Sequence, residues 1–138
     1  MHSAPFLVGR MLSLADTLHK EYCRHVRKKE VPPQLIGNAL MSAAMENPER
    51  GLARLTERLM IYQAWANKAQ GDSCPLAKWT LGQFGLVSSE LAKLAIPFRA
   101  SDADKAQMLL GYLARPEGKA PEESPNQSAV DPEEVTNV

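Results

Sequence analysis

Arg50, Arg54 and Arg58 recur at every fourth position within NPERGLARLTERLMIYQAWANKAQ, residues 47–70. On a helix, residues four apart share a face, so these three guanidinium groups form a ladder that rises roughly 6 Å per step. A guanidinium is always charged, and its planar fork of donors matches phosphate oxygens. The chemistry offered is the holding of a polyanion, with no bond made or broken. Lys20, Arg24, Arg27 and Lys28 form a second basic set near the end of the first helical stretch, and Lys29 extends it. That set reads either as a solvated face with cations favoured near a helix C-terminus, or as a second patch for phosphates.

Residues suited to catalysis do not assemble into a pattern. His2 lies at the terminus, and His19 and His25 are six apart, so they do not share a helical face. Neither is read as having a carboxylate or cysteine at ligand spacing, and no metal site or cofactor is expected. Cys23 and Cys74 stand outside any CxxC pattern and read as free thiols. No GxSxG, HExxH or glycine-rich phosphate loop occurs. Ser88-Ser89, Asp102 and Asp104 are explained by helix starts. Trp65, Trp79, Phe84 and Phe98 have the spacing of core aromatics, with base stacking as the other reading. The chain is expected not to be an enzyme.

The elements that must position these groups all read as helices. In residues 47–70, Asn47 caps, Pro48 opens and Glu49 suits the first turn. Leu52, Leu55, Leu59, Tyr62 and Ala66 form an apolar stripe roughly 120° around the helix from the arginines. This stretch is expected to be the element around which the others pack. Helix 1 is expected over Pro5 to Glu30, with Leu7, Met11, Leu14, Leu18 and Tyr22 facing the core, ended by Pro32-Pro33. A second helix over Gln34 to Glu46 has one charge, Glu46, and should be largely buried. A fourth covers Pro75 to Phe84, with its end blurred by Gly82 and Gly85, and a short fifth runs from Ser88 to Ala95. A sixth, opened by the Ser101/Asp104 capping pattern, runs to Arg115 and buries Ala106, Leu109, Leu110 and Leu113. No segment alternates as a strand does. The fold class is therefore all-α, a single compact bundle of five or six helices over residues 1–115.

Composition divides the chain in the same place. Up to Arg115 there are 15 Lys and Arg against 10 Asp and Glu, a net of +5; beyond it one Lys stands against six acids, a net of −5. The stretch from Pro116 is rich in Pro, Glu, Ser and Asn and reads as a disordered acidic tail, residues 116–138. The longest apolar runs are far too short to span a bilayer, the N-terminus has no small-residue cleavage site, and a cytoplasmic location is expected.

FLVGRMLSLADTLHKEYC, from Phe6, resembles the start of the C-terminal helical region in the large subunit of type I-C CRISPR interference complexes (Cascade), and KAQMLLGYLAR resembles its end. The family's glycine-tyrosine pair stands here as Gly111-Tyr112; where a further aromatic and His-Gln usually follow, this chain has Leu113-Ala114-Arg115. Between them, PPQLIGNALMSAAMENPERGLARLTERL has the layout of the family's middle helices. The resemblance covers about Phe6 to Arg115. In that family an internal start produces this region as a separate small subunit, and Met1 lies near that point. The resemblance implies a non-catalytic subunit beside the crRNA-bearing backbone proteins, which helps hold the displaced non-target DNA strand. Its partners would be the large subunit, the backbone subunits, a second copy of itself and crRNA-guided target DNA. Two other expectations compete: a pure assembly adaptor whose basic rows meet acidic protein surfaces, and a small helical regulator whose acidic tail masks its basic face.

Overall fold

Four of the five helices among the described residues begin where the sequence supplies a cap or a proline. In the computed structural model, which describes residues 2–27, 31–68, 74–114 and 120–122, α1 (Ala4–Tyr22) opens with Ser3 Oγ accepting from the Phe6 amide. It runs on through a π-helical turn, Cys23–Arg27. After α2 (Ile36–Glu46), α3 (Pro48–Asn67) is capped by Asn47 Oδ1, which accepts from the Arg50 amide at 3.1 Å. Pro75 opens α4 (Pro75–Leu91), and a complete Ser101/Asp104 capping box opens α5 (Asp102–Leu113). The described residues contain five helices and no strand, so the fold is all-α. No helix among them is long and apolar enough to cross a membrane.

The central element is α1, not α3. Leu7, Val8, Leu12, Leu14, Ala15 and Leu18 are buried on several sides of α1, and each of the other four helices packs against it. On α3 the expected stripe turns inward, with Leu55, Leu59 and Ala66 buried and Leu52 and Tyr62 half-buried; Pro48, Gly51 and Trp65 are buried beside it. Its remaining circumference is largely solvent-facing, which leaves it unable to organise a core.

α1 and α5 cross at glycines. A Cβ on Gly9 would overlap the Met108 carbonyl, and one on Gly111 would overlap the Phe6 carbonyl, so the two backbones touch where side chains normally intervene. This crossing overturns the expected face of α5. Met108 and Gly111 are buried and Tyr112 half-buried, whereas Leu109, Leu110 and Leu113 are 46, 54 and 76% exposed and Ala106 is also exposed. Close approach around Gly111 fixes the helix rotation, and the leucines cannot share that face.

The expected break after Phe84 is absent. α4 runs unbroken to Leu91, since Phe84, Val87 and Leu91 keep one face on the core while Gly82 and Gly85 face open space. Tertiary burial outweighs the weak helix propensity of two glycines. The separate short helix from Ser88 therefore does not exist. α2 is only partly buried, with Ile36, Gly37, Leu40 and Ala44 inward and Asn38, Ala39 and Ser42 exposed; small uncharged residues tolerate either environment. The expected extension of α1 to Glu30, the end of α3 at Gln70, and the disordered tail fall largely on residues outside those described. Of the tail, Ala120 and Pro121 line one depression together with Ser13, Leu14, Thr17, Leu76 and Trp79.

α2 has no cap of its own, because Leu35 holds that position. α1 supplies one. Asp16 Oδ1 accepts from the Gly37 amide at 2.6 Å and the Asn38 amide at 3.3 Å, and His19 Nδ1 accepts from the Ile36 amide at 3.2 Å. The Tyr112 hydroxyl of α5 donates to Asp16 Oδ2. One buried carboxylate thus joins three helices. Burial pushes the Asp16 carboxyl above its ordinary 3.8, against the downward pull of the Tyr112, Gly37 and Asn38 donors and of His19. Burial, with the hydrogen bond and charge of Asp16, pushes the Tyr112 hydroxyl up to about 12.

Gly111→Ala should destabilise the chain by about 2 kcal/mol or more, since backbone must move to admit the methyl. Gly82→Ala, mid-helix in open space, should stabilise it by about 0.5–1 kcal/mol. Urea midpoints measure both, and equal midpoints for the two variants would contradict the crossing. For Asp16 the raised folded pKa means its stabilising contribution is full below the unfolded value and is lost as pH rises through the folded one. The stability of the wild type relative to Asp16→Asn should therefore shrink as pH rises above the ordinary carboxylate value of 3.8. The opposite slope would mean that hydrogen bonding outweighs burial at Asp16. The Tyr112 contribution, intact below pH 10, should disappear as pH rises through about 12, and Tyr112→Phe should lack that alkaline loss.

Candidate nucleic-acid interface

The arginine ladder is where the sequence placed it. Arg50, Arg54 and Arg58 are all exposed on the outer side of α3, away from the Leu55–Leu59 stripe. Among the described residues none of the three guanidinium groups forms an ion pair. Glu49 and Glu57 are also exposed on this helix, so the surface is mixed in sign but arginine-rich. A polyanion meeting it encounters charges that no internal carboxylate has claimed.

The second basic set divides. Lys20 is half-buried near the end of α1. Arg24 turns inward, with Nη1 3.0 Å from Glu21 Oε2 and its side chain only 12% exposed. Arg27 closes the π-turn with its backbone; its side chain and all of Lys28 lie outside the described residues. The structure does not bring Arg24 together with the α3 ladder as a solvent-facing group.

Arg24 meets a residue three positions before it, a helical pair spacing visible in the sequence, but the burial of that partner is not visible there. Glu21 is fully buried, and its Oε1 accepts from the Cys74 thiol at 3.3 Å, so the carboxylate ties the end of α1 to the residue that opens α4. A carboxylate out of water needs such partners to remain tolerable. His25, read as lacking a carboxylate or cysteine nearby, in fact has both. Ligand-type atoms of Glu21, His25 and Cys74 all lie within 4.8 Å of one another. Glu21 stands four residues before His25, a helical ligand spacing visible in the sequence, while Cys74 comes from 49 positions beyond His25. These residue types can ligate a metal. The Arg24 guanidinium nevertheless sits on the Glu21 carboxylate and brings a fixed positive charge, so the arrangement does not fit a divalent cation as it stands. Its evident work is structural. Cys23 and Cys74 are both buried and are not joined in a disulfide.

The aromatic residues also divide. Trp65 and Phe84 are buried and Trp79 is half-buried, as core residues. Tyr22 meets Tyr62 and Trp65 edge-on, at centroid distances of 4.9 and 5.7 Å, and His19 stacks on Tyr62 at 4.9 Å. Phe98 departs from this pattern: it is 71% exposed on the chain between α4 and α5. It lines a depression of about 420 Å³ with Met45, Glu46, Asn47, Arg99, Ala100 and Lys105. Asn47 is the cap of α3, so this depression adjoins the first turn of the helix that carries Arg50.

Two arginines separated by function should respond differently to truncation. Arg24→Ala leaves the Glu21 carboxylate buried without its guanidinium and should cost about 3 kcal/mol in chemical denaturation. Arg54→Ala should leave the unfolding midpoint unchanged within error. A neutral Arg24→Ala would show that the Glu21 contact contributes nothing to stability.

Comparisons with protein-family models, with curated proteins and with solved structures each give no match.

Proposed function

We propose that this chain is a non-catalytic small subunit of a CRISPR-guided type I interference complex, of the type I-C kind that its sequence resembles. In this reading it holds the backbone of the displaced non-target DNA strand and bridges neighbouring subunits. The observation that carries the reading is the exposed ladder of Arg50, Arg54 and Arg58, whose guanidinium groups make no ion pair among the described residues. The resemblance over Phe6 to Arg115 supplies the family; the ladder supplies the contact. Where a guide RNA reads the sequence by base pairing, a protein subunit needs only backbone contacts, and a row of arginines is suited to that. A net of +5 over residues 1–115 implies weak, salt-sensitive binding by the chain alone.

A second reading, the assembly adaptor, is favoured by a different surface. The outer face of α5 exposes Leu109, Leu110 and Leu113, a run of large apolar side chains that suits contact with another protein. The two readings are compatible if the helices divide the work, α5 toward protein and α3 toward DNA.

The test is co-purification of the tagged chain with the products of its gene neighbourhood, followed by target-DNA binding across a salt series. Substituting Arg50→Glu, Arg54→Glu and Arg58→Glu together should leave the assembly intact but weaken target binding at least 10-fold and flatten its salt dependence. Loss of the substituted chain from the assembly would favour the adaptor. A chain that purifies alone, in an assembly whose DNA affinity does not change without it, would overturn the proposal.

A further inference from the structure

We infer that Phe98 is a stacking platform for a nucleobase of a single-stranded nucleic acid whose phosphates run along the α3 arginine ladder. The inference rests on the backbone-binding reading above and adds to it the residue that meets the bases of the strand.

The argument starts from the cost of the observed position. A phenylalanine 71% in water forgoes most of the stabilisation that burial gives an aromatic ring. The core takes up the other phenylalanines to a greater extent, with Phe84 buried and Phe6 half-buried. Phe98 follows Pro97 and precedes Arg99 in a stretch with no helical hydrogen bonds, which presents the ring on an irregular segment between α4 and α5.

Its surroundings are those of a strand-binding groove. Arg99 and Lys105 line the same depression and supply positive charge, with Glu46 the single carboxylate in its lining. Asn47 forms another wall, and its side chain is hydrogen-bonded to the Arg50 amide, so the depression and the first rung of the ladder are one helical turn apart. From Arg50 to Arg58 the ladder extends roughly 12 Å further along α3. The sequence of groups is therefore an aromatic face flanked by cations, followed by evenly spaced guanidiniums. Sequence-tolerant single-strand binding uses that combination, because every base has a π-face and every nucleotide a phosphate. A duplex, with its bases stacked inside, has no base to offer an isolated surface phenylalanine. An apolar protein segment fits less well, since the neighbours of Phe98 in this depression are mostly polar or charged.

The test compares two oligonucleotides of equal length and charge, oligothymidylate and a fully abasic analogue, binding to the full chain at low salt by fluorescence anisotropy. Phe98→Ala should weaken oligothymidylate binding by about 10-fold and leave abasic binding unchanged. Phe98→Trp should restore the affinity, and the introduced indole should be quenched by oligothymidylate and not by the abasic strand. Because residue 98 is exposed, neither substitution should move the unfolding midpoint. If Phe98→Ala weakens both ligands equally, or neither, the platform is overturned while the ladder stands, provided that the triple Arg→Glu substitution still abolishes binding. If the wild type binds neither ligand and the triple substitution has no effect, the backbone reading itself has failed. If Phe98→Ala spares DNA binding but removes the chain from its assembly, Phe98 is a protein contact and the inference is wrong.

Discussion

The Asp16 carboxylate is the interaction on which the arrangement of helices depends. A lone ionised carboxylate inside a protein is too costly to persist, so its position dictates what must surround it. Here the partners come from two other helices: the amides of Gly37 and Asn38 at the start of α2, and the hydroxyl of Tyr112 on α5. The amides need an acceptor as much as the carboxylate needs donors, because the first turn of α2 has no cap of its own. The negative charge also lies at the positive end of the α2 dipole. None of these contacts forms unless the backbones come close, and close approach is what Gly9 and Gly111 permit between α1 and α5 and Gly37 between α1 and α2. Polar satisfaction and small-residue packing are thus a single constraint.

Glu21 repeats the device one and a half turns further along α1. Its carboxylate is held by Arg24 on the same helix and by the Cys74 thiol at the head of α4. The helix is π-wound from Cys23, immediately beyond it. The consequence for the surface is that Arg24 serves the interior while Arg50, Arg54 and Arg58, on a helix with no buried acid, remain outside. Identical side chains on neighbouring helices acquire opposite roles because of what lies beneath them.

This pattern also explains which features were legible in the sequence. The α1 and α3 stripes were legible because Leu and Tyr at helical spacing carry most of their burial energy themselves. The caps at Asn47 and Ser101 were legible because they act within three residues. The face of α5 was not. Leu109, Leu110 and Leu113 have the larger apolar area, yet the rotation of the helix is set by Gly111 and Tyr112, whose value comes from a glycine and an aspartate about a hundred residues earlier. Glu21 and Cys74 were silent for the same reason. Their meaning is a contact between residues 53 apart, which no local spacing encodes. Phe98 was misjudged in the other direction, since composition expects a phenylalanine to be core and only the structure shows it in water.

Rigid internal fastening and an unfastened outer face bear on how such a chain works. The α3 ladder is presented on a helix whose opposite side is packed into the core through Leu55 and Leu59. The rungs therefore keep their spacing when a ligand is absent, and binding need not order the helix first, a cost that weakens recognition by disordered basic segments. A pre-formed ladder cannot read sequence, because guanidinium–phosphate contacts carry none. It can only set where a strand lies and in what register. On the proposed reading, a subunit built this way would add affinity without adding selectivity, which is useful only where another component has already chosen the target. Buried acids partnered inside and α3 arginines left in water are the features on which that proposed role rests.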